Sequence, residues 1–200
     1  MTEATLSDHA LITRLAGDTP GLAEAVLDRF GTAARALAAD PADLALVPGM
    51  SDGAVASFAT LQVAVATLLR RDLADRVLLS SWSKLLDYLR ATMAHGPVEV
   101  LRVMYLDRKN QLIADETPWR GTVDHVPLYP REIVRRALML RASALILAHN
   151  HPSGDPSPSQ ADIAMTRDVA EAAKLFGIVL HDHVIVAESG HTSFRAAGLL

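Results

Sequence analysis

Apolar positions in the first third of the chain recur at helical spacing. Leu6, Ala10, Leu11 and Leu15 follow Ser7 or Asp8 as a cap, and Leu22, Val26, Leu27 and Phe30 repeat the pattern until Gly31 closes it. Asp40-Pro41-Ala42-Asp43 opens another short helix with proline in its first turn. After Val47-Pro48-Gly49-Met50-Ser51-Asp52-Gly53, a long apolar helix runs through Ala66. Residues 1–72 therefore read as a small helical domain and residues 73–80 as a linker. Residues 81–200 form a second domain.

In that second part the period changes. Ser81–Met93 is a helix with Trp82, Leu85, Leu86 and Leu89 on one face. Val98–Leu106 is rich in β-branched and apolar residues and reads as a central strand. Asp107-Arg108-Lys109-Asn110 turns the chain, Gln111–Glu116 pairs back, and residues 119–126 give a third strand or irregular edge. Pro130–Arg141 is a helix, Ser143–His149 a short buried strand, Ser159–Phe176 a helix closed by Gly177, and Ile178–Ala187 another strand. Strands interleaved with helices, with at least one hairpin, predict an α+β (mixed α/β) sheet flanked by helices.

Composition narrows the chemistry. Half of the 200 residues are hydrophobic, enough for a buried core, and there are no cysteines. Disulfides, thiolate zinc sites and the cysteine-bearing zinc deaminases are thereby excluded, so a metal here must be held by His, Asp and Glu. The net charge is −4; residues 1–72 carry five arginines against nine acids, and residues 73–200 carry fourteen charges of each sign. Neither part has the basic excess of a typical nucleic-acid binder. With no signal segment and no apolar run of bilayer-spanning length, the expected setting is cytoplasmic, without a membrane partner.

The chemistry concentrates in His149-Asn150-His151-Pro152-Ser153-Gly154-Asp155-Pro156 and the helix start at Ser159. Two histidines separated by one residue project to the same side of an extended chain. Proline and glycine then turn the chain, and Asp162 returns on the first turn of the next helix. Two imidazoles and a carboxylate make three legs of a tetrahedron, the ligand set of a catalytic zinc whose fourth position stays open. Asp162 and Ser159 also have an ordinary use, an acid near a helix dipole and its cap. Asn150 faces the other way, with a turn-stabilising role as open as a substrate role. His125, His181 and His183 read first as polar residues at strand ends, and Glu99, Glu116 and Glu132 are the rival carboxylates for a catalytic base.

His-x-His, seven residues, Ser, two residues, Asp resembles the JAMM motif of JAB/MPN-type domains. With Tyr129-Pro130-Arg131-Glu132-Ile133 upstream and Asp182-His183-Val184-Ile185-Val186 downstream, the chain resembles the bacterial RadC family. The resemblance implies a zinc ion on His149, His151 and Asp162, a proton-shuttling Glu99 before the first strand, and Ser159 directed at an oxyanion. It implies a peptide or isopeptide amide as the bond cut, and it places a helix-hairpin-helix in the first domain. There, Ser51 stands where a second hairpin glycine is expected and Asp52 where a base would help phosphate binding. A zinc-dependent hydrolase of JAMM type with a peptide or protein substrate is the leading expectation. Its alternative is a DNA-associated repair or recombination factor that binds nucleic acid, its zinc structural or nucleolytic. A structural zinc would need a fourth ligand such as His125 or His183.

Overall fold

A computed structural model describes residues 6–17, 19–74, 82–120 and 129–200 of the chain. They divide into two compact units, residues 1–67 and 68–200.

The first unit is helical, and short polar side chains set its boundaries. α1 (Asp8–Ala16) starts where the Ser7 hydroxyl accepts the Ala10 N–H at 3.2 Å. α2 (Leu22–Phe30) ends at Gly31, whose φ is +80°. α3 (Ala33–Ala38) starts at Thr32, whose hydroxyl accepts the Arg35 N–H, and α4 (Pro41–Ala45) at Asp40, which accepts the Ala42 N–H. α5 (Asp52–Ala74) begins where the Ser51 hydroxyl accepts the Ala54 N–H at 3.2 Å. Ile12, Leu22, Val26, Leu44 and Phe58 are completely or almost completely buried in this unit's core.

Sequence periodicity misses α3, whose stretch Ala33-Ala34-Arg35-Ala36-Leu37-Ala38 offers little contrast between faces. It also stops α5 too early, since the helix continues to Ala74 and overlaps the start of the expected linker; residues 75–80 lie outside the described ones. The expectation that no run could span a bilayer needs correcting by length and composition alone. Residues 52–71 have a mean hydropathy of 1.5 and sufficient length. Ser57, Thr60 and Thr67 interrupt the apolar run, yet each hydroxyl bonds the carbonyl four residues back, which conceals its polarity.

The second unit is built on a five-stranded mixed sheet of order β2-β1-β3-β4-β5. β1 (Val100–Leu106) lies antiparallel to both β2 (Leu112–Arg120) and β3 (Ala144–Asn150). β3 runs parallel to β4 (Val179–Ala187), which pairs antiparallel with β5 (Gly190–Ser193). The parallel step needs a crossover, which α8 (Gln160–Lys174) supplies. α6 (Trp82–Met93) packs Leu85, Leu89 and Met93 against Met104, Ile146 and Ala148. α7 (Pro130–Leu140) and α8 cover the opposite face, with Ile133, Val169 and Ala173 against Leu145 and Leu147. Both faces are covered, so β3 is buried along its whole length, and Ala144–Ala148 reads as a continuous apolar run.

The expected break between residues 116 and 119 is not a strand boundary: β2 is one strand through Arg120, and residues 121–126 lie outside the described ones. Leu101 pairs with Trp119 and Val103 with Glu116, so β2 carries one extra residue there. Pro118 falls in this bulge on an edge strand, a place where its missing N–H costs no ladder bond.

Candidate metal centre

Alternation along β3 sends Leu145, Leu147 and His149 toward α7 and α8, and Ile146, Ala148 and Asn150 toward α6. His149 is thus the last side chain on the α8 face of a buried strand. His151 follows as the chain leaves the sheet, its N–H bonded to the Val186 carbonyl at 3.0 Å. The chain then turns at Gly154, φ +86°, whose carbonyl accepts the Ser189 hydroxyl at 2.6 Å. α8 begins with a capping box at Ser159, which places Asp162 at the mouth of β3. This is the carboxyl end of a parallel strand beside a helix N-terminus, a favoured binding position in α/β sheets.

Four of the residues singled out in the sequence meet here. The Nε2 atoms of His149 and His151 are 2.9 Å apart. Asp162 Oδ1 lies 3.3 Å from His149 Nε2, and Oδ2 lies 3.5 Å from His151 Nε2. Donors about 2.1 Å from a tetrahedral zinc are separated by roughly 3.4 Å, so the spacing suits one small cation. Glu99 Oε1 is 3.9 Å from His151 Nε2, and the donor atoms of Glu99, His149 and His151 lie within 4.8 Å of one another. All four side chains are at most 15% exposed.

Counting protons around the imidazoles explains the convergence. The Thr166 hydroxyl donates to the Asp162 carbonyl at 2.6 Å, so toward His183 Nδ1, 2.6 Å away, it accepts. His183 is then protonated at Nδ1 and offers Nε2 to the Nδ1–H of His149, 2.7 Å away. His151 donates its own Nδ1–H to the Asp155 carbonyl at 2.8 Å. Both Nε2 positions are left facing each other and a carboxylate, an arrangement that a shared proton or a bound cation would relieve.

Electrostatics follow from this packing. Burial alone pushes the Asp162 carboxyl up, but hydrogen bonds to His149 and His151, the charge of His149 and the Ser159 hydrogen bond hold it well below the usual carboxylate range. The hydrogen bond to Asp162 raises His151, against burial and with help from the Asp155 carbonyl and the charges of Asp162 and Glu99. Burial drives His183 well below an ordinary imidazole, and the neighbouring His149 adds to this.

Ser159 has both of its hydroxyl's uses committed to Asp162: it donates to Oδ2 at 2.6 Å and accepts the Asp162 N–H at 3.1 Å. Of the two roles open in the sequence, this geometry is the helix cap. Glu116 is held by Arg136 and Glu132 by Arg135, so the rivals of Glu99 are engaged elsewhere. His125 lies outside the described residues. His181 bonds Asn110 at 2.7 Å.

His183 requires a correction. It is not a polar strand end but a completely buried mid-strand residue, stacked on Phe194 and bonded to His149. Its two ring nitrogens are both occupied by side chains, which removes it as a fourth ligand. Asp182 accepts the N–H groups of His183 and Arg195 and the Ser193 hydroxyl. Thr166 was missed, although its position four residues after Asp162 places it on the same helix face. Asn150 is 1% exposed and points away from the cleft.

A mixed sheet with two imidazoles at a strand end, facing the carboxylate of the following helix, is the arrangement of a JAB-type domain. Residues 79–199 match the RadC-like JAB domain, and the chain belongs to that family. It is 55% identical over 183 residues to a UPF0758 protein of Rhodobacter capsulatus, covering 92% of this chain and 86% of the relative. It is 51% identical over 183 residues to a UPF0758 protein of Ruegeria pomeroyi, covering 92% of this chain and 82% of that one.

Proposed function

We propose that the chain is a zinc-dependent hydrolase of JAMM type that cuts a peptide or isopeptide amide. The observation that carries this reading is the meeting of two imidazole lone pairs, the Asp162 carboxylate and the Glu99 carboxylate at the end of β3. His149, His151 and Asp162 would hold the ion. A bound zinc supplies Lewis-acid polarisation of the amide carbonyl and of a water molecule.

The chain's own groups do the rest. Glu99 takes a proton from the attacking water as the new carbon–oxygen bond forms, and returns it to the leaving nitrogen as the carbon–nitrogen bond breaks. Its carboxylate, 3.9 Å from His151, is close enough to the cation position to serve both steps. Ser159 holds Asp162 through the capping box; an oxyanion role requires that its hydroxyl leave Asp162 for the substrate. Burial of His149 and His151 against the sheet limits water around the centre and strengthens its electrostatics.

The test is metal content of purified wild type, His151→Ala and Glu99→Gln, with a panel of fluorogenic amide and isopeptide substrates. Zinc near one per chain, lost in His151→Ala and kept in Glu99→Gln, with cleavage abolished in both, supports the proposal. A wild type that takes up no zinc, and whose stability ignores chelators, overturns it.

A further inference from the structure

We infer that Asn150 is a positioning residue for Glu99, holding the segment that carries this carboxylate beside the two imidazoles. The inference rests on the hydrolase reading. The backbone ladder between β3 and β1 ends at the pair His149–Leu101. Beyond it, the Asn150 side chain takes over. Its Oδ1 accepts the Val100 N–H at 2.9 Å, and its Nδ2 donates to the carbonyls of Val98 at 3.0 Å and Gly96 at 3.4 Å. These bonds bracket Glu99 on both sides along the chain.

The same alternation that turns His149 and His151 toward the cleft turns Asn150 to the opposite face. One tripeptide therefore presents two donors to the cation position and fixes the carboxylate from behind. Only an amide supplies one acceptor and two donors in this way: a carboxylate would face two carbonyls, and an apolar group would remove the partner of three part-buried backbone groups. Gly96 belongs to the clamp, since a Cβ there would come 3.2 Å from Asn150 Nδ2 and 3.3 Å from the Met93 carbonyl. An amide held by three bonds has little freedom to move aside.

The experiment is a double-mutant cycle read in metal affinity rather than turnover. Zinc and cobalt dissociation constants are measured by chelator competition at fixed pH for wild type, Asn150→Ala, Glu99→Gln and the double variant. A misplaced Glu99 withdraws a negative charge from the cation. Asn150→Ala should therefore keep one metal per chain but bind it about 10–100-fold more weakly, as loss of supporting bonds commonly does. The double variant should bind no more weakly than Glu99→Gln alone, because Asn150 acts through that carboxylate. A purely structural role would instead weaken both backgrounds by the same factor, and that outcome overturns the inference, as does wild-type affinity in Asn150→Ala. If Asn150→Ala does not fold, Gly96→Ala strikes the clamp from outside and must reproduce the loss; unchanged affinity there is equally fatal. No metal uptake by the wild type sinks the hydrolase reading itself, whereas uptake weakened in Glu99→Gln but not in Asn150→Ala sinks only the role of Asn150.

Discussion

His149 and His183 face each other across the parallel β3–β4 pair, with Nδ1 of the first 2.7 Å from Nε2 of the second. This contact fixes which nitrogen of His149 carries its proton. The wire behind it returns through Thr166 to the backbone of Asp162, so one candidate ligand is oriented by the main chain of another.

Replacing His183 with phenylalanine keeps a ring against Phe194 but removes the acceptor for His149. The buried N–H left behind should cost about 1–3 kcal/mol of stability. Metal affinity should fall about 10–100-fold. Thermal melting and chelator competition on the same preparation check both; an unchanged affinity would show that the tautomer is set elsewhere.

Acid should compete with metal from an unusually high pH. His151 must lose its Nε2 proton to bind a cation, and its affinity for that proton is raised by Asp162. Metal affinity should therefore begin to fall above the ordinary imidazole value near 6.5. Metal-free protein has the opposite dependence at this residue. A raised folded value stabilises below the unfolded value and loses that contribution as pH rises through the folded one. The stability difference between wild type and His151→Ala, measured by denaturant titration without metal, should be largest below about 6.5 and shrink toward alkaline pH.

Metal should act as a staple for the folded state. At free zinc about 100 times the dissociation constant, binding adds about 2.7 kcal/mol. For the second unit this corresponds to a Tm rise of roughly 5–15 °C, reversed by a chelator and absent from His151→Ala. Scanning calorimetry with and without zinc measures it.

Ser159→Ala separates the two uses of that hydroxyl. Loss of a cap costs about 0.5–2 kcal/mol, and loosening Asp162 should weaken metal binding. If instead stability and metal affinity hold while cleavage fails, the hydroxyl acts on the substrate.

Away from the cleft, Arg102 and Asp115 form a buried ion pair, 2.9 Å, joined by the Tyr88 hydroxyl of α6. The Asp115 side chain is 2% exposed, and burial pushes the Tyr88 hydroxyl up to about 12. Asp115→Ala strands the guanidinium and should destabilise the second unit by about 3–5 kcal/mol, with metal stoichiometry unchanged at a temperature where the variant stays folded.

The sequence made the centre legible where local geometry sufficed. Strand alternation alone places His149 and His151 together, and Ser159-Gln160-Ala161-Asp162 announces the start of α8. What it hid depends on pairing between distant segments. His183 meets His149 only because β4 lies parallel beside β3, and the apolar period of that strand gives no hint that one polar ring is buried. Asn150 reaches residues 50–54 positions away, through a side chain that two candidate ligand histidines overshadow. The single strand β2 read as two pieces, ending at Glu116 and resuming at Trp119, because a bulge interrupts the alternation there.

The capping box gives Asp162 two masters. One carboxylate oxygen accepts the Ser159 N–H and hydroxyl that launch α8, and the other faces His149. Any cation drawn to the carboxylate must share it with the first turn of the helix. A cation held there should tighten the first turn of α8, and slower hydrogen exchange at the start of the helix on adding zinc is the expected sign of occupancy.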